Sequence, residues 1–252
     1  MRCPEFLSRL RGALLAAACL LFAACQGGGE LPDLAAVEDV PTLKRTFYEF
    51  LAPIVAREND RIRAQREDLA ALRETLAAGE RPGWLARRRL RALAGEYEVS
   101  WQPEDLPAVA STLWRRVDVI PPGLALAQAA KESGWGRSRF AVEGNNLFGQ
   151  WCFDPGCGIV PARRAEGSRH EVAAFDSVDE AIRRYMNNLN THDRYAPFRE
   201  RRAALRARDA ALTGPALVAG LLGYSERGEV YLDELRAMMR QNRELLASAA
   251  RG

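Results

Sequence analysis

The stretch that decides the fold is GLALAQAAKESGWGRSRFAVEGNNLFG, residues 123–149. A pair of prolines precedes it, and proline suits the first turn of a helix because the N–H that it lacks would have no partner there. Small and apolar residues predominate as far as Glu132, and Gly134 and Gly136 follow soon after. Since glycine interrupts helical sequence, the stretch predicts a helix that ends just beyond Glu132.

Glu132 is the side chain of this segment that points to chemistry. Alanines surround it on the predicted helix, so its carboxyl is expected to be partly removed from water, which raises the pKa of a carboxyl group. A carboxylic acid that stays neutral near the working pH can protonate the leaving oxygen of a glycosidic bond. Spacing alone favours a simpler interpretation, in which Glu132 is an exposed helix residue that pairs with Arg137 or Arg139.

Helical periodicity extends on the N-terminal side of this segment. Apolar residues recur at helical spacing from Leu43 to Leu76, which predicts one long helix or two. After a break at residues 79–83, a further amphipathic helix is expected in LARRRLRALAGEYEV, and another in QPEDLPAVASTLWRRVDV. We expect these N-terminal helices to serve packing and spacing.

The C-terminal side combines a small β region with more helices. Residues 137–176 hold glycines, aromatics and β-prone pieces such as GIVPA and HEVAAF, which predict loops and a small hairpin lobe. Ser177, with Glu180 three residues later, matches a helix capping box, and helices are expected through most of the remaining sequence. The predicted class is mainly α (α+β): a helical domain with a small β-hairpin lobe, preceded by N-terminal helices.

The N-terminus has the pattern of a secretory signal. Arg2, Arg9 and Arg11 precede the apolar run GALLAAACLLFAAC, which is short for a membrane crossing. The run ends at Cys25 in a segment that resembles a bacterial lipobox, with Phe22 in place of the usual leucine. The resemblance implies that Cys25 becomes the lipidated first residue of the mature protein; a plain cleaved signal and an uncleaved anchor are the alternatives.

The remaining cysteines and the charge balance narrow the class further. With Cys25 lipidated, only Cys152 and Cys157 remain in the mature chain, and in an oxidising compartment they are expected to form a disulfide. The two histidines, His170 and His192, have no metal-like spacing, so no metal site is expected. The net charge is only +3, and arginines alternate with acids, which argues against a nucleic-acid binder.

The central motif resembles the signature of the glucosaminidase family of peptidoglycan hydrolases, most closely its Bax-like branch. The resemblance rests on a Glu-Ser pair at a helix end, a Gly-Trp-Gly turn and the downstream NNLFG, and it extends from about Phe47 to Asn242. It implies a lysozyme-like fold and no cofactor. The domain organisation expected from all these features is a signal peptide, a tether, an N-terminal helical region and a lysozyme-like glucosaminidase domain, at residues 1–24, 25–41, 42–83 and 84–250.

The family also implies roles for individual residues. Glu132 corresponds to the proton-donating glutamate, and Tyr224 to an aromatic residue that lines the cleft and assists catalysis or sugar binding. Further substrate contacts are expected from residues near Glu132 on its helix face or in the matching motif segments: Gln128, Ser133, Trp135, Asn145, Asn146, Phe148 and Tyr231. The two asparagine amides bind either sugar N-acetyl groups or the backbone, and core packing is the alternative for Leu147 and Phe148. The second carboxylate is open between Glu166 and Glu171, because Asp176 fits the cap of the following helix better.

The expected activity is an endo-β-N-acetylglucosaminidase that cleaves β-1,4 bonds of the glycan strand. Two alternatives remain: a lytic transglycosylase, which also uses a glutamate followed by serine on a lysozyme-like fold, and a lipoprotein that binds peptidoglycan without cleaving it. The segment NNLFGQ differs from the Gly-Leu-Met-Gln type segment of the transglycosylases. The expected location is the periplasm, with the chain anchored to the outer membrane because Gln26 follows Cys25.

Overall fold

The computed structural model describes residues 29–162, 164, 167 and 169–249. Within these residues the chain forms ten α-helices, three short strands and two 3₁₀ segments, Asp193–Tyr195 and Val218–Tyr224. The predicted mainly α class with a small β lobe is confirmed. The helices are α1 Val40–Ala77, α2 Trp84–Glu96, α3 Leu106–Arg116, α4 Pro122–Ser133, α5 Arg139–Gly144, α6 Val178–Thr191, α7 Ala196–Arg206, α8 Gly214–Leu217, α9 Glu229–Gln241 and α10 Arg243–Ala249, and the strands are β1 Trp151–Cys152, β2 Gly158–Ile159 and β3 Glu171–Ala173.

Helix α1 is one continuous helix of 38 residues, so the first of the two possibilities for this segment is correct. It begins at a side-chain cap, where the Asp39 carboxylate accepts a hydrogen bond of 2.8 Å from the Thr42 N–H. Such a cap satisfies one of the N–H groups that a helix start leaves unpaired. Its apolar stripe is buried along most of its length, from Leu43 to Leu72.

Helix α1 lies antiparallel to α4 and contacts both of its ends. Near the start of α1, the Phe47 ring lies 5.7 Å from the ring of Trp135, which follows α4. Further along α1, Asn59 bonds the backbone of Ile120, which precedes α4: its Nδ2 donates to the Ile120 carbonyl at 2.9 Å and its Oδ1 accepts from the Ile120 N–H at 3.0 Å. These contacts fix the position of α4, and with it the position of Glu132.

The described residues share a single hydrophobic core that includes α1. The hydrophobic core is therefore continuous across the predicted domain boundary at residue 84. Leu34 lies in the predicted tether, residues 25–41. It is buried, and its carbonyl accepts a hydrogen bond of 2.8 Å from Arg137 Nε. Ordered packing thus begins earlier than the predicted tether allows, because the apolar Leu34 reaches the turn after α4.

The β lobe is a three-stranded antiparallel sheet with the order β1-β3-β2. The predicted disulfide between Cys152 and Cys157 is present and closes the loop between the two outer strands. Glu171 of β3 lies beneath this loop, where its carboxylate accepts hydrogen bonds from the Gly156 N–H at 3.2 Å and the Gly158 N–H at 2.9 Å. The disulfide and this carboxylate together hold the lobe in shape.

The segment between β3 and α6 forms the predicted cap. The Ser177 hydroxyl accepts a hydrogen bond of 3.2 Å from the Glu180 N–H, and the Glu180 carboxylate accepts one of 3.3 Å from the Asp176 N–H. Asp176 is thus part of the cap, as expected. Along the described part of the chain, we find no helix whose length and apolarity would suffice for a membrane crossing.

Candidate active site

The Gly-Trp-Gly turn after α4 is built from three consecutive residues with positive φ: Gly134 at 57°, Trp135 at 63° and Gly136 at 77°. Left-handed backbone is readily available to glycine, which explains why two of the three are glycines. The Ser133 hydroxyl donates to the Ala129 carbonyl at 2.6 Å and accepts from the Gly136 N–H at 2.7 Å. The turn is therefore fixed directly beside Glu132.

This geometry corrects the predicted substrate contact of Ser133, while that of Trp135, which is half-buried, stays a prediction. Ser133 is buried, and its hydroxyl is occupied by the turn. The Trp135 ring packs edge-on against Phe47 and Tyr48 of α1, with centroid distances of 5.7 and 5.3 Å. Both residues therefore position Glu132, and the tryptophan does so by joining the end of α4 to α1.

The Glu132 carboxyl is half-buried, and its Oε1 atom is buried with no hydrogen-bond partner among the described residues. Burial raises the pKa of this carboxyl above its usual value, against the opposing effects of the Tyr231 hydroxyl, Lys131 and Arg227. A carboxyl group in such surroundings keeps its proton to a higher pH than an exposed one. Glu132 is therefore suited to act as a general acid.

A buried hydrogen-bond chain leads to Glu132 from the protein interior. The Tyr185 hydroxyl donates to Gln128 Oε1 at 2.6 Å, and Gln128 Nε2 donates to the Tyr231 hydroxyl at 3.0 Å. This leaves the hydrogen of the Tyr231 hydroxyl available to the Glu132 carboxyl, whose pKa that hydroxyl lowers. Gln128 is fully buried, so its predicted substrate contact is corrected: it acts through Tyr231.

Aromatic rings line one side of this carboxyl. Tyr224 stacks on Tyr231 with a centroid distance of 5.4 Å, and Tyr195 lies 5.9 Å from Tyr224. Burial raises the pKa of all three phenols, and the charge of Glu132 raises it further. The three phenols therefore remain neutral donors, and the structure brings both predicted tyrosines, Tyr224 and Tyr231, to the Glu132 site.

Phe148 packs behind the tyrosine wall, which is formed by Tyr195, Tyr224 and Tyr231. Its ring stacks on Tyr185 at a centroid distance of 3.8 Å, and its carbonyl accepts a hydrogen bond of 3.2 Å from the Tyr224 hydroxyl. The side chain is buried, so of the two expected roles, sugar contact and core packing, Phe148 has the packing role. Through these contacts the NNLFG segment is joined to the tyrosine wall.

The two asparagines of that segment hold backbone in place. Asn145 takes positive φ at the end of α5 and donates to the Phe175 carbonyl at 2.9 Å. Asn146 is buried, and its amide donates to the carbonyls of Gln150 and Ala173, while its Oδ1 accepts from the N–H groups of Phe148 and Gln150. These bonds use the Asn146 amide fully, so of the two expected partners, sugar or backbone, it binds backbone. The Asn145 amide also donates to backbone, and its contact with a sugar stays a prediction.

A small charge network flanks Glu132 on the solvent side. Lys131 Nζ lies 2.5 Å from a Glu234 carboxylate oxygen, and Arg227 Nη1 donates to the same carboxylate at 2.9 Å. These two cations lower the pKa of Glu234 to about 2. Glu234 thus carries a fixed negative charge that raises the pKa of Glu132, while the two cations lower it.

The candidates for a second carboxylate stand differently. Both Glu171 oxygens accept backbone hydrogen bonds in the β lobe, and the carboxylate lies within 4.8 Å of the cysteine sulfurs. This placement corrects the expectation for Glu171, because its lone pairs already stabilise the lobe. Glu166 lies outside the described residues, so its role stays a prediction.

Sequence reasoning missed Tyr185, Tyr195 and Glu234. Glu234 lies three residues after Tyr231, so helical spacing could have indicated that both reach the Glu132 side of α9. Tyr185 and Tyr195 come from a different part of the chain, and nothing in their local pattern distinguishes them from core residues.

Comparison with known proteins places this site in a family. The family model described as mannosyl-glycoprotein endo-beta-N-acetylglucosaminidase matches residues 108–244. The chain is also 35% identical over 220 residues to Protein bax of Escherichia coli (strain K12), which covers 86% of this chain and 76% of that protein. A search of the solved structures gives no match. The matched range contains Glu132, the turn after it and the tyrosine wall, and the chain belongs to the glucosaminidase family of glycosidases, within its Bax-like branch.

Proposed function

We propose that this protein is a peptidoglycan hydrolase, an endo-β-N-acetylglucosaminidase that cleaves β-1,4 bonds of the glycan strand. The observation that carries the proposal is the Glu132 carboxyl. Its Oε1 is buried without a hydrogen-bond partner among the described residues, and burial raises its pKa. An unpartnered buried carboxyl oxygen is costly to maintain unless a ligand engages it. A glycosidic oxygen is a suitable partner, because it accepts the proton that a neutral carboxyl donates.

In the proposed reaction Glu132 delivers its proton to the leaving oxygen as the bond from that oxygen to the anomeric carbon breaks. Water then adds hydroxide to the anomeric carbon. Its remaining proton passes to Glu166 if that residue is the base, or to the Glu132 carboxylate if the N-acetyl group of the substrate takes part. Tyr231 orients the carboxyl, and Tyr224 offers an aromatic face beside it. Gln128 fixes the Tyr231 hydroxyl and so keeps its hydrogen directed away from the protein interior.

The decisive experiment combines a Glu132→Gln variant with analysis of the products. Glutamine keeps the shape of the side chain and cannot donate the carboxyl proton, so wall clearing on a zymogram should fall by about 10²–10⁴-fold. Glu143→Gln is the matched control, because Glu143 lies on α5 in an exposed pair with Arg139. Clearing by Glu132→Gln equal to that of Glu143→Gln would refute the assignment.

Mass spectrometry of the digested wall tests the reaction class. Hydrolysis at the proposed bond leaves reducing N-acetylglucosamine ends. A digest dominated by 1,6-anhydromuramic ends would show a lytic transglycosylase instead. Binding to insoluble wall with no soluble product from the wild type would show a non-catalytic anchor protein.

The anomeric carbon is proposed to be attacked either by water that Glu166 activates or first by the N-acetyl carbonyl oxygen of the substrate itself. In the second case water then opens the cyclic intermediate and gives its proton to the Glu132 carboxylate. Glu166→Gln separates the two, because loss of clearing with the fold intact would identify Glu166 as the base. Retained clearing would favour chemistry assisted by the N-acetyl group. Glu171→Gln should in either case act through the stability of the β lobe, since the Glu171 carboxylate holds backbone N–H groups there.

We also propose that the chain acts in the periplasm and is anchored to the outer membrane through a lipid on Cys25. Cys25 lies outside the described residues, and the proposal rests on its position after the apolar run. Labelled palmitate should enter the wild type and not Cys25→Ala. Label retained by Cys25→Ala would exclude this anchor.

A further inference from the structure

A cavity of about 720 Å³ lies away from Glu132, between α1, α3 and α7. Asp118, which lines it, precedes α4, whereas Glu132 lies at the other end of that helix. At 1.5 Å per residue, the length of α4 puts roughly 15 Å between the two ends. The volume of the cavity falls in the range of small-molecule pockets, and the proposed reaction at Glu132 does not use this cavity.

The walls of this cavity carry more positive than negative charge. Asp118 is buried and is the partner of three guanidiniums: Arg206 at 2.8 Å, and Arg66 and Arg202 each at 3.7 Å. One carboxylate cannot neutralise three arginines. The whole lining contains five arginines and two acids, namely Arg63, Arg66, Arg115, Arg202 and Arg206 with Glu67 and Asp118. Arg63 is paired with Asp60, so the excess positive charge comes from the other four arginines.

The buried Arg202 is affected first by burial and then by its charged neighbours, of which Asp118 raises its pKa. Burial lowers the pKa of Arg202 to about 10, with the charges of Arg66 and Arg199 acting in the same direction. Arg66 and Arg73 both lie over the Trp114 ring, at 3.6 and 4.4 Å from its centroid. An aromatic face stabilises a cation, but it supplies no negative charge.

Several guanidinium edges are still available in the cavity. Arg206 uses Nε and Nη2 for Asp118 and is 45% exposed. Arg66 donates to the Trp114 and Val117 carbonyls through Nη1. Arg115 is exposed and makes no side-chain hydrogen bond within the described part of the chain. Arginine presents its donors in a planar fork that matches the two oxygens of a carboxylate or phosphate.

From this arrangement we propose that the cavity between α1, α3 and α7 binds a ligand carrying carboxylate or phosphate groups. Asp118 and Arg202 form the fixed floor, since Arg202 donates to the carbonyls of Arg115, Arg116 and Asp118 and is itself buried. Arg66, Arg115 and Arg206 provide the donors for the oxyanion. The Trp114 ring orients Arg66 and gives the cavity an apolar side.

The test is a calorimetric titration of the full chain at constant ionic strength. Pyrophosphate and citrate are the two probes, because they distinguish a phosphate ligand from a carboxylate one. We expect saturable one-to-one binding of at least one probe. The double variant Arg115→Gln/Arg206→Gln should weaken that binding at least tenfold, because both side chains are oxyanion donors, while Arg66 and Arg202 remain as partners of Asp118.

The matched control is Arg201→Gln/Arg208→Gln. It removes the same charge from exposed positions on or just beyond α7 that do not line the cavity. Equal weakening in the two double variants would overturn the proposal, because it would show a general charge effect. Absence of saturable binding by both probes would also overturn it. Wall clearing is unchanged in both variants if the cavity acts separately from Glu132.

Discussion

Gln128 donates a hydrogen bond of 3.0 Å to the Tyr231 hydroxyl, and this buried contact joins α4 to α9. The amide of Gln128 is in turn fixed by Tyr185, which donates to its Oε1 at 2.6 Å. A hydroxyl that accepts from one side presents its own hydrogen to the other, and Glu132 lies there. The orientation of the proposed acid is thus set by two buried residues, Gln128 and Tyr185, which act through Tyr231.

Replacement of Gln128 by leucine should reduce both the stability of the protein and the rate of wall clearing. The change leaves the hydroxyls of Tyr185 and Tyr231 without their buried partner, which costs about 1–3 kcal/mol of stability for an unsatisfied polar group. Urea denaturation and the rate of wall clearing measure the two effects. Tyr185→Phe is the control, because it keeps the bond from Gln128 to Tyr231. Equal rates in the two variants would contradict a positioning role.

The charges beside Glu132 should move the alkaline limb of the pH–activity profile in opposite directions. A general acid must be protonated, so activity falls as the pH rises through its pKa. Lys131 lowers the pKa of Glu132 and Glu234 raises it. Lys131→Gln should therefore extend activity to higher pH, and Glu234→Gln should restrict it to lower pH. A shift of both variants in the same direction would exclude this electrostatic control.

Alanine at Gly136 should destabilise the protein through both backbone and packing. Gly136 has a φ of 77°, and a Cβ there would lie 2.6 Å from Leu34 Cδ1. Left-handed backbone costs a non-glycine residue about 1–2 kcal/mol, and the contact adds to it. Gly79→Ala isolates the backbone part, since Gly79 has a φ of 75° and open space around it. Thermal unfolding should show the larger loss for Gly136→Ala, and equal losses would mean that Leu34 moves away at no cost.

Loss of the disulfide should loosen the β lobe and leave the helices intact. The cysteines are five residues apart, and closing so short a loop contributes about 2 kcal/mol in the chain-entropy treatment. In Cys152→Ala/Cys157→Ala, amide exchange should accelerate at Gly156 and Gly158, whose N–H groups donate to Glu171. The far-ultraviolet circular dichroism should stay the same. Unchanged exchange at both glycines would show that Glu171 alone holds the loop.

Local chemistry made much of the fold predictable. The end of α4, the Ser177 cap and the disulfide each depend on residues close together in sequence, so the pattern contains the necessary information. The choice of Glu132 as the acid required more than spacing, which alone favoured an exposed ion pair. The family motif and the burial of its carboxyl in the structure now support the same residue.

Contacts between distant segments were not predictable. Asn146 follows α5 in the NNLFG segment, but its amide is bonded to backbone that includes Ala173 of β3. Tyr185 bonds Gln128 across 57 positions of sequence. Local patterns of apolar and polar residues indicate which faces are buried and do not specify which buried polar groups meet.

The packing of α1 along α4 limits how short a fragment of this protein can be and still hold Glu132 in place. A fragment limited to the family-matched range, residues 108–244, would leave the backbone of Ile120 without Asn59 and the Trp135 ring without Phe47 and Tyr48. Those residues fix the two ends of the helix that bears Glu132. The part of the chain that holds the proposed acid in place is therefore longer than the family-matched range, and it includes Leu34.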